Sequence, residues 1–271
     1  MVKVSIILCT YNRLSKLKLC VDSVLNQSFK DYEFIIIDDN SNDGTDKYLK
    51  ELISEQNNIL CIYNIRNIGL QFSLNKGLSI ARGTYIARID DDDKWLYEKK
   101  LEKQVEFLDD FPEYLLVGTG YRICKKFYKN PLDDKQIRNQ FLFRCPFQHS
   151  TVMFRAKHKN YIFKYDDSLT YSEDWDLWMY MALHGKVKNL DIITTEIGIT
   201  NNLSSKYYLK QLPINRKLYK KYKNGLPRRN LAYLYHLFLK IYFITIPIDS
   251  VVHKLFQKIF LLIFLRKKLN K

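Results

Sequence analysis

Four consecutive aspartates, Asp90 to Asp93, follow the apolar-rich segment Thr84-Tyr-Ile-Ala-Arg-Ile-Asp90. Side by side, these carboxylates repel one another strongly and call for counter-charge. They also offer several hard oxygen ligands in a small space, suited to Mg²⁺ or Mn²⁺ bridging a diphosphate. A solvated acidic turn capping the following helix is the plainer reading of the same residues, and the run alone does not choose. A second acidic group, Glu173, Asp174 and Asp176, lies in Ser172-Glu-Asp-Trp-Asp-Leu-Trp178. Carboxylates in the first turn of a helix are favoured by its dipole; a carboxylate in a cleft can equally take a proton from a reacting hydroxyl. Two glycine-rich phosphate cradles are absent: neither GxGxxG nor GxxxxGK[ST] occurs, and the first strand–helix turn contains no glycine.

The elements that must position these groups follow from periodicity. Val4 to Cys9 is a short apolar run, followed at once by Asn12, Arg13 and Lys16. That is too short for an export sequence and is expected to be a buried first strand. Leu14, Leu17, Val21, Val24 and Leu25 share one helical face. Phe34 to Asp38 is a second strand, apolar throughout as in a parallel sheet covered on both faces. Ser41-Asn-Asp-Gly-Thr45 turns into a helix with Tyr48, Leu49, Leu52 and Ile53 inward, and Ile59 to Tyr63 is a third strand. Helices are expected over Leu70–Ala81 and Trp95–Leu108, flanking the strand that ends at Asp90. Alternation of strand and helix makes the fold α/β with a mostly parallel sheet. Ligands of such sheets sit beyond the carboxyl ends of the strands, where Thr10-Tyr11-Asn12, Asp38-Asp39-Asn40 and Asp90 to Asp93 all fall. Farther on, Pro131 to Asn139 reads as a polar connector and His149 to Arg155 as a strand with basic ends. Ser172 is expected to cap a helix whose apolar face is Leu177, Trp178, Met181 and Ala182.

Several stretches resemble the family 2 glycosyltransferases: Val4-Ser-Ile-Ile-Leu-Cys-Thr-Tyr-Asn-Arg13, Ser23-Val-Leu-Asn-Gln-Ser-Phe29, Glu33-Phe-Ile-Ile-Ile-Asp-Asp-Asn-Ser-Asn-Asp-Gly-Thr45, Asn67-Ile-Gly69, Asn75-Lys-Gly77, Ala81 to Asp93 and Ser172 to Trp178. The resemblance implies a GT-A fold, with a Rossmann-like nucleotide-binding half joined to an acceptor-binding half. It implies inverting transfer of a hexose or N-acetylhexosamine from a UDP-sugar to an acceptor hydroxyl. Carried onto this chain, Thr10 and Tyr11 line the nucleotide, Asp39 accepts the base imide, and Asp90 serves the ribose and the metal. Asp92 is the main ligand of Mn²⁺ or Mg²⁺, Asp91 fills the variable middle position, and Asp174 is the base. Arg88, two residues before Asp90 on one strand, either faces the diphosphate or forms an ion pair beside the aspartates. His149 either contacts phosphate or acceptor or is a core histidine. Glu173 stands beside the base, and Trp175 is expected to stack on a sugar face. Cys9 stands where some relatives carry threonine.

Charge separates the chain into two parts. Residues 1–205 carry 28 basic and 28 acidic side chains, whereas residues 206–271 carry sixteen basic residues and the single acid Asp249. The expected organisation is a catalytic domain over 1–205, its nucleotide half at 1–110 and acceptor half at 111–205, followed by a basic, apolar-rich helical tail over 206–271. Leu231–Ile248 and Val251–Leu265 are apolar-rich but interrupted by His236, Lys240, Pro247, Lys254 and Lys258. They suit amphipathic helices on an anionic membrane surface better than a span of about 20 apolar residues; packing on the domain or a homodimer contact is the other reading. No recognisable module supports nucleic-acid binding. Five widely spaced cysteines without a CxxC pair point to a reducing compartment. The combined expectation is a cytoplasmic enzyme lying peripherally on the inner face of a bacterial inner membrane. It would glycosylate a glycan or lipid-linked acceptor in lipopolysaccharide, lipooligosaccharide or capsule assembly. A protein or teichoic-type acceptor, and an inactive nucleotide-binding partner protein, are the alternatives.

Overall fold

The computed structural model describes residues 2–198 and 208–245. Four parallel strands form one side of the sheet: β1 (Val4–Thr10), β2 (Tyr32–Asp38), β3 (Ile59–Tyr63) and β4 (Tyr85–Arg88), in the order β3–β2–β1–β4. Every residue of β1, β2 and β4 is buried. That burial explains their unbroken apolar runs, because helices cover both faces. These are α1 (Leu14–Leu25), α2 (Thr45–Glu55) and α3 (Leu70–Ile80).

The sheet continues from β4 through β8 (Met153–Arg155), β6 (Tyr114–Ile123) and β11 (Lys186–Ile197) to β5 (Lys94–Trp95), with β7 (Lys126–Tyr128) beside β6. β8 runs antiparallel to both β4 and β6, so β6 is parallel to β4, and β11 is parallel to β6. The carboxyl ends of β1, β2, β4 and β6 therefore open on the same edge. The mostly parallel α/β architecture expected from the sequence is present, completed by α4 (Lys100–Asp110), α5 (Asp134–Phe141), α6 (Glu173–His184), α7 (Tyr208–Tyr222) and α8 (Arg229–Thr245), with a small hairpin β9–β10 (Lys157–His158, Tyr161–Ile162).

Local expectations fail where a tertiary partner overrides periodicity. The helix expected from Trp95 starts only at Lys100, because Trp95 pairs with Thr195 of β11 and its indole Nε1 donates to Ser150 O at 2.9 Å. The connector over 131–139 contains α5, whose Ile137 and Phe141, four residues apart, are both fully buried. His149–Thr151 forms a 3₁₀ turn and only Met153–Arg155 is strand. Ser172 does not cap α6: its φ of 61° places it in the left-handed region, and its Oγ donates instead to Asn215 Oδ1 at 3.1 Å.

Residues 1–227 form one compact unit and 228–271 a second. The first thus extends past 205 to include α7. In the second, α8 is followed by residues outside the described part of the chain, and the apolar stretch Val251–Leu265 lies there too. No helix among the described residues is long and apolar enough to cross a membrane.

The floor under the strand ends holds a buried lysine. Lys100 Nζ donates to Gln104 Oε1 at 2.8 Å and lies 4.0 Å from the centre of the Trp95 ring. Gln104 Nε2 in turn donates to Val117 O and Thr151 O. Burial pushes the Lys100 ammonium well below its ordinary range, while the ring face returns part of that loss. The unfolded chain therefore binds this proton more readily than the folded one, so the lysine costs stability at neutral pH and ceases to as pH rises toward about 10. Lys100→Met should raise the urea midpoint at neutral pH by the equivalent of about 1–3 kcal/mol, with the gain shrinking as pH rises. A gain that grew with pH would contradict this account.

Candidate active site

The first two strand–helix turns are tied together. Asn12 N donates to Ser41 Oγ at 2.9 Å, and Asn42 N donates to Asn12 Oδ1 at 2.8 Å. Asn12 and Asn40 have φ of 52° and 70°, a region that asparagine tolerates better than most residues. Asp43 Oδ2 accepts from Leu14 N at 2.8 Å, serving the first turn of α1 from the neighbouring loop. Beneath this pair of turns the Asp39 carboxylate is fixed by Asn64 Nδ2 at 2.8 Å, Ile68 N at 2.9 Å and Gly69 N at 2.9 Å. Gly69 has a φ of 93°, which an L side chain rarely adopts. Asp39 Oδ2 carries only the Gly69 bond and, with two lone pairs, keeps capacity for another donor. Tyr11 is 46% exposed on the same rim.

The carboxylates of the acidic run are held by partners from several elements. Asp90 Oδ1 accepts from Arg88 Nη2 at 2.6 Å, and Asp90 N donates to Ser150 Oγ at 2.9 Å. Burial alone would push the Asp90 carboxyl up, but the Arg88 charge, joined by smaller effects that include Arg13 and the Ser150 hydroxyl, outweighs this and holds it below its ordinary range. Asp91 accepts from Thr10 Oγ1 at 2.8 Å and from Arg13 Nη1 at 2.9 Å. Asp92 Oδ2 lies 3.4 Å from Arg13 Nη1. Asp93 Oδ1 accepts from Gly198 N at 2.8 Å. A Cβ at Gly198 would lie 2.1 Å from Asp92 O, so only glycine lets the end of β11 press on the run.

This geometry corrects three expectations. Arg88 is 1% exposed, with Nη1 donating to the carbonyls of Ile7 and Ile89, so it braces Asp90 from beneath and cannot reach a diphosphate. Asp91 and Thr10 are buried against each other, which leaves neither side chain to a ligand. Arg13, which sequence reasoning passed over, joins the first turn to the run; its place directly after Thr10-Tyr11-Asn12 was the available signal. Asp90 and Asp92, with side chains 30% and 12% exposed, are the carboxylates facing outward. Among the described residues no group of three or more protein ligands surrounds a cation site. Hard oxygens from two carboxylates, with diphosphate and water completing the shell, are what Mg²⁺ and Mn²⁺ commonly use, so the donor set fits.

Glu173 and Asp174 open α6. Glu173 is buried, Asp174 half-buried, and both carboxyls are pushed up. Burial is the main cause for each; the charge of Asp90 adds to it, which brings Asp174 within electrostatic reach of the acidic run. Trp175 is 7% exposed and its Nε1 donates to Phe141 O at 3.0 Å, so the indole belongs to the core and does not face a sugar. His149 Nε2 is bonded to Tyr165 Oη at 2.9 Å. Burial, aided by Arg88, lowers His149 to about 3. Buried and bonded to Tyr165, it is neutral at physiological pH and matches the reading as a core histidine. Its Nδ1 stands 3.9 Å from Asp90 Oδ1.

The first turn of α6 is also gripped from α7. Asp176 Oδ1 accepts from Lys221 Nζ at 2.7 Å and from Tyr222 Oη at 2.9 Å, and Asn215 holds Ser172. All three partners lie on α7.

The sequence profile of glycosyl transferase family 2 matches residues 5–171. The chain belongs to this family. An uncharacterised glycosyltransferase of Methanocaldococcus jannaschii is 35% identical over 185 residues, covering 65% of this chain and 63% of the relative. The chain thus spans less than two thirds of that relative's length. A UDP-Glc:α-D-GlcNAc-diphosphoundecaprenol β-1,3-glucosyltransferase of Escherichia coli, WfaP, is 32% identical over 199 residues, covering 71% of this chain and 75% of the enzyme. The fold matches S. aureus TarS 1–349 with a TM-score of 0.69 at 16% identity, over 91% of this chain and 76% of TarS. It also matches the mannosyltransferase PcManGT of Pyrobaculum calidifontis, solved with GDP-Man and Mn²⁺, with a TM-score of 0.62 at 14% identity, over 96% and 80% of the two chains. The GT-A-like fold is shown by these matches.

The family match ends before α6, yet α7 reaches back to the turn that carries Asp174. Tyr222→Phe removes one hydrogen bond to a buried carboxylate and should lower unfolding stability by about 1–3 kcal/mol. Urea unfolding measures it, and an unchanged midpoint would show that the α7 contact carries no energy.

Proposed function

We propose that the protein is an inverting, metal-dependent glycosyltransferase that moves a hexose or N-acetylhexosamine from UDP to an acceptor hydroxyl. The observation that supports this reading is that Asp39, Asp90 and Asp92 follow strands ending on one edge of the sheet, with Asp174 feeling the charge of Asp90. Asp39 has a free acceptor position beside an exposed tyrosine. That combination suits a uracil N3–H, which donates where the ring nitrogen of cytosine does not. Asp92 and Asp90 would hold Mn²⁺ or Mg²⁺, which supplies charge neutralisation for the departing diphosphate. Asp174 takes the proton of the acceptor hydroxyl as the new bond forms at the anomeric carbon. No protein nucleophile is needed, and attack opposite the leaving group inverts the configuration.

Family membership and the relative that uses a diphosphate-linked lipid support a role in bacterial surface-glycan assembly, with lipopolysaccharide, lipooligosaccharide or capsule as the product class. A lipid-linked acceptor would be met at the cytoplasmic face of the membrane, where the basic residues of the 206–271 segment attract anionic lipid. The full-length protein should pellet with anionic vesicles and be released as salt rises; binding that ignores salt and lipid charge would remove the membrane reading.

Calorimetric titration with UDP, with and without Mn²⁺, tests the donor site. Binding should strengthen with the metal, and Asp92→Ala should lose that enhancement. No UDP binding by the wild type in either condition would overturn the uridine assignment. Asp174→Asn should reduce kcat by about 10²–10⁴ with UDP affinity retained. Burial lifts Asp174 to about 6, so kcat should fall as pH drops through that value, where the base becomes protonated. A rate constant down to the ordinary aspartate range of about 4 would assign the base elsewhere.

A further inference from the structure

Among the described residues, six arginines are buried or half-buried, and five have evident partners. Arg13 pairs with Asp91, Arg88 with Asp90, Arg122 with Glu196 and Arg138 with Asp134, while Arg155 donates to the carbonyls of Tyr114 and Leu108. Arg144 is the sixth. Its Nε donates to Gln140 Oε1 at 2.7 Å, but its terminal nitrogens donate to no described residue and no described carboxylate pairs with it. Residues 199–207, the segment outside the description nearest in sequence to the site, contain no acid. Partial burial of an arginine without counter-charge is costly unless an anion arrives to pair with it.

Its position says where such an anion would lie. Arg144 closes the turn after α5, with Arg144 N and Phe143 N both donating to Gln140 O. The same turn packs on the start of α6 through the bond from Trp175 to Phe141 O. The thiol of the next residue, Cys145, feels the charge of Asp174 and, more weakly, that of Glu173. Arg13 and Arg88 both feel the acidic run, whereas Arg144 does not. Arg144 therefore sits in the turn that packs on the first turn of α6, the turn that carries Asp174.

We propose that Arg144 binds an oxyanion, phosphate or carboxylate, carried by the acceptor, and thereby selects anionic glycans or glycolipids over neutral ones. The proposal rests on the reading of Asp174 as the base beside the acceptor hydroxyl. A guanidinium whose Nε is fixed by Gln140 presents its remaining N–H groups in a defined plane, the geometry for two-point contact with an oxyanion. Held in that way, the oxyanion would fix which hydroxyl of the acceptor reaches Asp174.

The test uses the full-length protein saturated with UDP and Mn²⁺, so that the donor site is filled. It is titrated with hexose 1-phosphates, methyl hexuronides and uncharged methyl hexosides of matching sugars. One anionic class should bind while its uncharged counterpart does not, and whichever class binds identifies phosphate or carboxylate. Arg144→Gln should weaken that binding at least about tenfold, and Arg144→Lys should retain part of it. UDP affinity should be unchanged in both variants, which shows that the fold and donor site persist. The proposal is overturned if anionic and uncharged sugars bind alike, if Arg144→Gln binds anions as the wild type does, or if the UDP-loaded wild type takes up no anionic sugar. Failure of the wild type to bind UDP at all would instead remove the donor reading, and this proposal with it.

Discussion

Crowded negative charge at the end of β4 is the constraint on which the site depends. Two unit charges 4 Å apart near a protein surface interact by about 4 kcal/mol, and Asp90 to Asp93 would multiply that repulsion if left alone. The fold gathers partners for the run from several elements, with Arg13 serving both Asp91 and Asp92. Arg88 comes from β4, Thr10 and Arg13 from the first strand–helix turn, Ser150 from the turn before β8, and the Gly198 amide from the end of β11. The run is thereby held spread out, with Asp90 and Asp92 outward and Asp91 and Asp93 turned in. Those partners lie between 2 and 105 residues away in sequence, so the site can form only when both halves of the sheet have closed around β4.

Arg88 carries the largest share of this arrangement. A guanidinium at 1% exposure is stable only because Asp90 and the carbonyls of Ile7 and Ile89 surround it. The strands that shield the nucleotide edge thus also supply the oxygens that keep the buried cation in place. A comparable division holds at α6. Glu173 and Asp174 feel the charge of Asp90, while Asp176 in the same turn is paired with Lys221 and Tyr222. Neutralising the third carboxylate from behind keeps its charge from adding to the upward pressure on the other two.

The strand ends that carry Asp39 and Asp90 were legible because their signals are local. Unbroken apolar runs marked β1 and β2, and each polar cluster stood directly after a strand, where backbone geometry alone brings it to the ligand edge. Period-two spacing correctly put Arg88 on the face of Asp90, but spacing cannot say whether a cation points past a carboxylate or sits beneath it. Trp175 failed for a related reason. α6 is buried nearly all round, with Trp175, Leu177, Trp178, Met179, Met181 and Ala182 all inside, so periodicity has no polar face from which to infer orientation. Ser172 has the composition of a cap and the wrong backbone conformation, a property set by its contact with α7.

The surroundings of Asp174 were harder to read because irregular segments build them. The turn at 141–147, the 3₁₀ turn at His149 and the approach to Ser172 have no period, and their register comes from single contacts such as Trp175 to Phe141 O and His149 to Tyr165. A donor common to many enzymes can be held by turns whose residue types hardly vary. An acceptor particular to one enzyme must be read by side chains whose meaning appears only when their partners are known. The proposed role of Arg144 is such a case: in the sequence it is one of 44 basic side chains, and only the pairing of the other arginines buried or half-buried with it sets it apart. Absence of a counter-charge is a property of three-dimensional neighbourhood, and it is at such positions that the chemistry of an acceptor leaves its mark on a fold.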